Sequence, residues 1–155
     1  MKATKKIHLI SLALIMVLAM WGADLKAQPY GHTVGIRAGY SSGVSYKGFR
    51  LHRMGAFEGN ILYNRHGFNL SALYEQHWEP FRDEKFLLYV GGGAYGGDWD
   101  EEFSMGVVAV VGIEYTIRDV PLNLGLDWRP MLNVYRTFAT DFVDFGVCIR
   151  YRFGR

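Results

Sequence analysis

Apolar and polar residues alternate along several stretches of this 155-residue chain, and this period of two constrains its fold most strongly. In the stretch 121–129, for example, Leu122 and Leu124 share one face, whereas Asn123 and Asp127 share the other. Similar alternation runs through the stretches 33–40, 104–117 and 143–153. Successive side chains of a β-strand point to opposite faces, so the pattern predicts strands with one apolar face. No convincing helical period is found from residue 28 onward, and the chain is predicted to be all-β.

Turn-forming residues divide the alternating region into eight predicted strands. These strands are 33–40, 43–49, 55–64, 67–78, 86–98, 103–117, 121–134 and 142–153. One long strand over 33–49, kinked near Gly43, is an alternative to the first two. An even number favours two strands, because seven would leave the first and last strands of a closed barrel parallel. The sequence therefore predicts an eight-stranded antiparallel up-and-down β-barrel.

The first residues have the features of an export signal. Positive charge is supplied by Lys2, Lys5 and Lys6. The uncharged apolar run 9–21 that follows is shorter than the roughly 18 residues of a membrane-spanning helix. We therefore expect residues 1–27 to be a cleaved signal peptide and residues 28–155 to be the barrel domain. The alternative is an uncleaved membrane anchor.

Charge and cysteine content exclude two classes of protein. The formal net charge of the chain is +2, and without residues 1–27 the chain has 13 Lys and Arg against 14 Asp and Glu, a net charge of −1. We therefore predict no nucleic-acid partner. The single cysteine, Cys148, forms no internal disulfide, which excludes a small disulfide-stapled fold.

The two faces of the predicted strands suggest which side lines the barrel. A soluble barrel points its apolar face inward, whereas a membrane barrel points it at lipid. Here the apolar face is large and aromatic near the strand ends, and the other face carries charges of both signs. The charged positions on that face are Arg37, Lys47, Glu58, Glu75, Glu114, Asp127, Arg129, Arg150 and Arg152. Buried charges need partners, and this near balance of signs supplies them, so we predict a transmembrane barrel with a charge-filled lumen. The predicted lumen charge network consists of Arg37, Glu58, Glu114, Asp127 and Arg150.

The last strand carries a family resemblance. The segment 145–153 (FGVCIRYRF) resembles the carboxy-terminal assembly signal of bacterial outer-membrane barrels. Its signal residues are Phe145, Val147, Ile149, Tyr151 and Phe153. Two residues, Gly154 and Arg155, follow the phenylalanine that usually ends such chains. Together with the export signal, this segment makes the chain resemble the small eight-stranded OmpA/OmpX-like outer-membrane proteins, and the stretches 112–116 and 121–130 resemble barrels called "porin family".

The resemblance implies a location and partners but little about activity. It places the chain in the cell outer membrane of a Gram-negative bacterium, in contact with membrane lipid and lipopolysaccharide. It also implies that the barrel-assembly machinery inserts the chain. With both ends in the periplasm, the connections 50–54, 80–85 and 118–120 face the periplasm, and the connections 41–43, 65–66, 99–102 and 135–141 face outward.

The leading functional hypothesis is a non-enzymatic barrel with a structural or envelope-integrity role and a polar, plugged lumen. The alternatives are a narrow channel, a lipid-active enzyme with His77 and Glu75 as its only candidates, and a soluble ligand-binding barrel. We predict no catalytic, cofactor-binding or metal-binding residues. The histidines lie singly on different segments, without the spacing of a zinc site. The acidic connection 98–102 is interpreted as a solvated loop rather than a calcium site.

Overall fold

The computed structural model describes residues 31–50, 54–81, 85–135 and 138–153. The strands in these residues are β1 (His32–Gly39), β2 (Ser42–Phe49), β3 (Gly55–Asn64), β4 (Gly67–Trp78), β5 (Phe86–Trp99), β6 (Glu102–Thr116), β7 (Leu122–Trp128), β8 (Met131–Asn133), β9 (Ala139–Asp141) and β10 (Phe145–Phe153). Within the described ranges, no helix has the length and apolar character needed to cross a membrane. The predicted signal peptide and the two residues after Phe153 lie outside the described part of the chain.

Eight of these strands close into a barrel. Each of the strands β1 to β6 pairs antiparallel with the next, and β7 pairs with β10. The ring closes between β10 and β1, where Ile149 lies opposite Ile36. Closure pairs the first and last strands, which would otherwise present unpaired backbone groups as sheet edges. The predicted eight-stranded antiparallel up-and-down barrel is therefore confirmed.

The amino-terminal region forms two strands rather than one. The chain turns at Tyr40 and Ser41, and β2 runs back along β1 with Val44 opposite Ile36. The backbone N–H of Tyr40 donates to the carbonyl oxygen of Phe145 at 3.1 Å, which joins this turn to β10. The prediction that the alternation from 33 to 49 belongs to two strands is thus correct. Below, "outer end" denotes the end of the barrel that carries this turn.

The predicted seventh strand, 121–134, is interrupted at Pro130. The register against β6 continues across the interruption, because Val111 lies opposite Trp128 and Val108 lies opposite Met131. Proline has no backbone N–H to contribute to a ladder, so the regular pairing stops there. The carbonyl oxygen of Pro130 still accepts a hydrogen bond from Ala109 N–H at 3.0 Å. Strands β7 and β8 are therefore one wall of the barrel with a local break.

The last part of the described chain differs from the prediction in two respects. Residues 139–141 were expected in an outward loop, but they form β9, in which Thr140 lies opposite Leu132. That expectation is wrong because three residues are too few to show alternation in the sequence. The following residues bulge before β10 begins at Phe145, and Asp144 accepts a backbone hydrogen bond from Arg129 at 2.8 Å. The predicted strand 142–153 is thus shortened at its start.

The apolar face of the barrel points outward. Leu124, Val147 and Ile149 are 37%, 52% and 45% exposed, whereas Asp127 and Arg150 on the same strands are 2% and 0% exposed. The charged face therefore lines the lumen, and the alternation of the sequence is inverted relative to a soluble barrel.

The lumen also contains an apolar cluster. Its members are Leu73, Tyr89, Tyr95, Val108, Val110 and Met131. These side chains come from β4, β5, β6 and β8, so they line one side of the interior. The lumen therefore contains two groups of side chains, an ionic network and an apolar cluster.

Candidate functional site: the lumen charge network

The lumen holds a connected set of ionic side chains. Its cationic members are Arg37, Lys47, Arg129 and Arg150, and its carboxylates are Glu58, Glu75, Glu114, Asp127 and Asp144. Each of these residues is at most 2% exposed. They meet because each strand points every second residue inward, so that strands distant in sequence contribute to one interior. We call this set the lumen network.

Lys47 lies at one centre of the lumen network. Its Nζ contacts Glu114 Oε1 and lies 2.7 Å from Glu75 Oε2 and 3.3 Å from Glu58 Oε2. The same ammonium group lies 4.3 Å from the centre of the Tyr89 ring. One cation therefore contacts carboxylates from β3, β4 and β6, and its remaining face is covered by an aromatic ring.

Arg150, on β10, contacts two of the same carboxylates. Its Nη2 donates to Glu58 Oε1 at 3.2 Å and its Nη1 donates to Glu114 Oε1 at 3.3 Å. Its Nε donates to Ser45 Oγ at 3.4 Å. The forked guanidinium thus contacts three side chains at once, as its fixed donor geometry allows.

Asp127 forms a second centre. Arg37 donates to Asp127 Oδ1 from Nε at 2.9 Å and from Nη2 at 2.7 Å, and also to Asp144 Oδ1 at 2.9 Å. Arg129 Nη2 lies 3.1 Å from Asp127 Oδ2 and 2.9 Å from Glu58 Oε1. Arg129 therefore links the centre at Asp127 to the centre at Lys47.

All five residues of the predicted network lie in this interior set, but the prediction left four members out. The missing members are Lys47, Glu75, Arg129 and Asp144. The first three were assigned to the charged face without being assigned to the network. Strand parity predicts that Asp144 lies on the lumen face, because it is an even number of residues from Arg150. The sequence does not show which charges meet across the lumen.

Two glycines make room for the largest lumen side chains. A Cβ added at Gly146 would collide with the guanidinium of Arg37, and one added at Gly112 would collide with the ring of Tyr89. Gly112 lies directly opposite Tyr89 in the ladder between β5 and β6. At both positions, the missing side chain of the glycine leaves space that a bulky neighbouring side chain occupies.

His77 and Glu75, the weak enzyme candidates from the sequence, are enclosed. His77 Nε2 lies 3.6 Å from Glu75 Oε2 and 3.9 Å from Glu114 Oε1. The imidazole packs against the rings of Phe49 at 4.7 Å and Tyr89 at 5.1 Å between centroids. Both side chains of the pair are 0% exposed, so a lipid substrate has no surface on which to meet them.

The lumen carries neither a recognisable metal centre nor an exposed thiol in the part of the chain that the structure describes. No three His, Cys, Asp or Glu side chains among those residues are arranged to hold a metal ion. Cys148 is buried, and its Sγ lies 3.4 Å from Asp127 Oδ2. The thiol therefore packs against the lumen network.

The predicted assembly-signal residues all face away from the lumen. Phe145, Val147, Ile149, Tyr151 and Phe153 occupy alternate positions of β10 and are between 42% and 59% exposed. At the seam between β10 and β1, the Phe153 ring stacks on His32 with centroids 5.9 Å apart. His32 Nδ1 in turn lies 2.9 Å from the hydroxyl of Tyr46.

Comparisons with known proteins found no relatives for this chain. No family model matches it, and no curated protein or solved structure does. The function must therefore be argued from the geometry of the barrel itself.

Proposed function

We propose that the chain is an integral β-barrel of the outer membrane of a Gram-negative bacterium. In this proposal it is non-enzymatic, has a structural or envelope-integrity role, and is closed by its own side chains. The observation that carries the proposal is the inversion of the barrel, with apolar side chains outside and ionic side chains inside.

The apolar outer surface supports a lipid environment. The exposed large apolar residues number 28 among the described residues and include members of every barrel strand except β5. Soluble monomers rarely expose contiguous apolar patches beyond a few hundred Å². A membrane barrel needs such a surface, because its outer band faces acyl chains. Hydrocarbon is therefore the solvent that matches this wall.

The distribution of exposed aromatic residues also supports this environment. At the outer end the exposed rings include Tyr63, Phe68, Phe103 and Phe145, and at the opposite end they include Trp78, Phe81, Tyr151 and Phe153. Membrane barrels carry such rings in two girdles at the interfaces between lipid and water. The two ends of this barrel would then lie at the two membrane surfaces.

The filled lumen favours a structural role over a channel. The lumen network and the apolar cluster both lie in the interior, where the Tyr89 ring of the cluster contacts Lys47 of the network, and the ionic side chains bind one another. Passage of a solute would require several of these ion pairs to break, and separating a buried pair costs about 3–5 kcal/mol. We therefore propose no steady solute transport.

The proposal is tested by expressing the full chain in a Gram-negative host. We expect the protein in the outer-membrane fraction, with a shift in electrophoretic mobility on heating as the barrel unfolds. We also expect no steady single-channel current from purified barrels in planar bilayers, and unaltered lipid A in the host. Recovery in the soluble periplasm would contradict the membrane location, steady conductance would favour a channel, and altered lipid A would favour an enzyme.

Lipid and the assembly machinery are the partners in this proposal. Phe145, Val147, Ile149, Tyr151 and Phe153 present an apolar outward face on β10. An insertion machinery can contact this face. Outer-membrane lipid and lipopolysaccharide would surround the finished wall.

A further inference from the structure

His66 connects separate segments at the outer end of the barrel. It lies in the connection between β3 and β4, and its ring stacks on Trp99 of β5 with centroids 4.2 Å apart. Its Nδ1 lies 2.9 Å from Oδ1 of Asp100, in the turn between β5 and β6. Its Nε2 accepts a hydrogen bond of 3.1 Å from Nε of Arg65, whose guanidinium lies 5.4 Å from the centre of the Tyr40 ring. The imidazole and Arg65 together therefore join the β5–β6 turn to the β1–β2 turn.

The two hydrogen-bond partners of the ring define its protonation. Arg65 can only donate a hydrogen bond, and the carboxylate of Asp100 can only accept one. Nδ1 must therefore carry a hydrogen, whereas Nε2 must present a lone pair. The structure thus holds His66 in its neutral form, as the Nδ1–H tautomer.

Asp100 keeps the ring in this orientation. Its backbone N–H donates to the carbonyl oxygen of His66 at 2.9 Å, so the two residues meet through both backbone and side chain. Asp100 and Glu101 have φ angles of 52° and 70°, in the left-handed region that a two-residue hairpin turn of this kind requires. Neither residue is glycine, so the turn is strained, and its contacts with His66 help to hold it. With Nδ1 fixed on Asp100, the ring keeps Nε2 directed at the same neighbours.

A second carboxylate lies beside Nε2. Oδ2 of Asp141, on β9, is 3.8 Å from Nε2, and the Asp141 side chain is 3% exposed. Its Oδ1 accepts the backbone N–H of Val143, but its Oδ2 has no hydrogen bond of good geometry among the described residues. Burial and the nearby Asp141 carboxylate raise the pKa of Tyr40 to about 12, so this phenol stays protonated where histidine ordinarily titrates. A buried acceptor is thus available to His66 once Nε2 carries a hydrogen.

A proton added to His66 would exchange the partners of Nε2. A doubly protonated imidazole donates from both nitrogens, so Nε2 can no longer accept from Arg65. Two cations would then face each other across 3.1 Å, whereas Asp141 offers the new N–H an acceptor. Histidine ordinarily changes charge between about pH 5 and 8. The other titratable groups that line a pocket with His66 are Tyr63, Asp98 and Glu101.

We propose that His66 is a pH-operated latch at the outer end of the barrel. In its neutral form it holds Arg65 against Tyr40 and so ties the β3–β4 connection to the β1–β2 turn. When it gains a proton, it releases Arg65 and binds Asp141, which ties the same connection to β9 instead. The strand pairing of the wall is the same in both forms, and only the contacts of the outer connections change.

The test measures the contact between Arg65 and Tyr40 in the full chain, isotope-labelled and folded in detergent micelles. The nuclear Overhauser effect between the Arg65 side chain and the Tyr40 ring is compared at about pH 8 and about pH 5. His66→Gln removes the titrating ring, and Asp141→Asn removes the acceptor for the protonated form. Asp98→Asn is the matched control, because Asp98 lines the same pocket without pairing with His66 among the described residues.

We expect the unsubstituted barrel and Asp98→Asn to lose the contact signal at least about threefold on acidification. His66→Gln should keep the signal at both pH values, and Asp141→Asn should keep at least about half of it in the acidic sample. An unchanged signal in the unsubstituted barrel, or an equal loss in His66→Gln, would overturn the latch. An equal loss in Asp141→Asn and Asp98→Asn would overturn the role of Asp141.

A measurement on the unsubstituted barrel alone keeps the inference testable if a variant fails to fold. Long-range proton–nitrogen spectra of isotope-labelled histidine distinguish the two neutral tautomers, and the contact with Trp99 identifies the ring of His66. At about pH 8 we expect the Nδ1–H tautomer. The Nε2–H tautomer would overturn the inference, because Nε2 could then not accept a hydrogen bond from Arg65.

Discussion

Arg37 on β1 and Asp127 on β7 are joined by hydrogen bonds of 2.7 and 2.9 Å, although β10 lies between their strands. The guanidinium crosses β10 over Gly146, which lies opposite Asp127 in the ladder. An ion pair between non-adjacent strands ties the wall together through the lumen as well as along the backbone. The stability of the barrel should therefore depend on lumen side chains and on the space left for them.

The first prediction concerns that space. Gly146→Ala should lower the free energy of unfolding by about 1–3 kcal/mol, because the added methyl group displaces Arg37 from Asp127 and Asp144. Urea unfolding of the detergent-folded barrel measures the change. Gly59→Ala is the matched control, since its methyl group enters open space, and it should change stability by no more than about 0.5 kcal/mol. If both substitutions changed the free energy of unfolding equally, the contact of Arg37 with Asp127 across β10 would not stabilise the barrel.

The second prediction concerns the removal of one lumen charge. Glu114→Gln should destabilise the barrel by about 3–5 kcal/mol, because it leaves Lys47 and Arg150 with fewer anionic partners in a buried site. The unfolding midpoint in detergent reports the loss. Glu101→Gln, at an exposed turn, should leave the midpoint near that of the unsubstituted barrel. An unchanged midpoint for Glu114→Gln would show that the lumen network does not stabilise the fold.

The third prediction concerns coupling within the lumen network. Lys47→Met leaves Glu58, Glu75 and Glu114 facing one another without the cation that they share. Adding Glu75→Gln removes one of these carboxylates and should restore about 0.5–3 kcal/mol of the lost stability. A double-mutant cycle of unfolding free energies gives the coupling energy. If the two effects simply add, Lys47 and Glu75 do not act as a pair.

The fourth prediction concerns assembly. Phe153→Ala should lower the amount of folded barrel in the outer membrane severalfold, because it removes the last residue of the assembly signal and its stacking on His32. Phe81→Ala is the control, since Phe81 is exposed and lies outside that segment. Quantitative immunoblots of heat-modifiable protein in outer-membrane fractions compare the two. Equal yields would argue that residues 145–153 are not read during insertion.

Much of the fold could be predicted from the sequence because alternation specifies both the strands and their faces. Parity places Glu58, Glu114 and Asp127 on the charged face. The large apolar face with its aromatic ends, and the near balance of charges on the other face, then indicate that the charged face points inward. The division between β1 and β2 required the additional argument that a closed antiparallel barrel has an even number of strands.

The remaining features depend on contacts between segments that are distant in sequence. The short strand β9 exists because β8 offers it a partner, and three residues show no period of their own. His66 and Asp100 are separated by 34 residues, so their contact at the outer end of the barrel cannot be inferred from spacing. Val108 has the same parity on its strand as Gly106 and Gly112, and only the closed barrel shows that it joins an apolar cluster.

The central claim is that the wall faces lipid and the charges face the lumen. The most direct test labels three proteins on β10: the unsubstituted chain, whose single cysteine is Cys148, and Val147→Cys and Ile149→Cys in a Cys148→Ser background. The quenching of each label by lipid-attached quenchers is measured in bilayers. We predict strong quenching at positions 147 and 149 and weak quenching at 148. Equal quenching at the three positions, or stronger quenching at 148, would contradict the inverted membrane barrel.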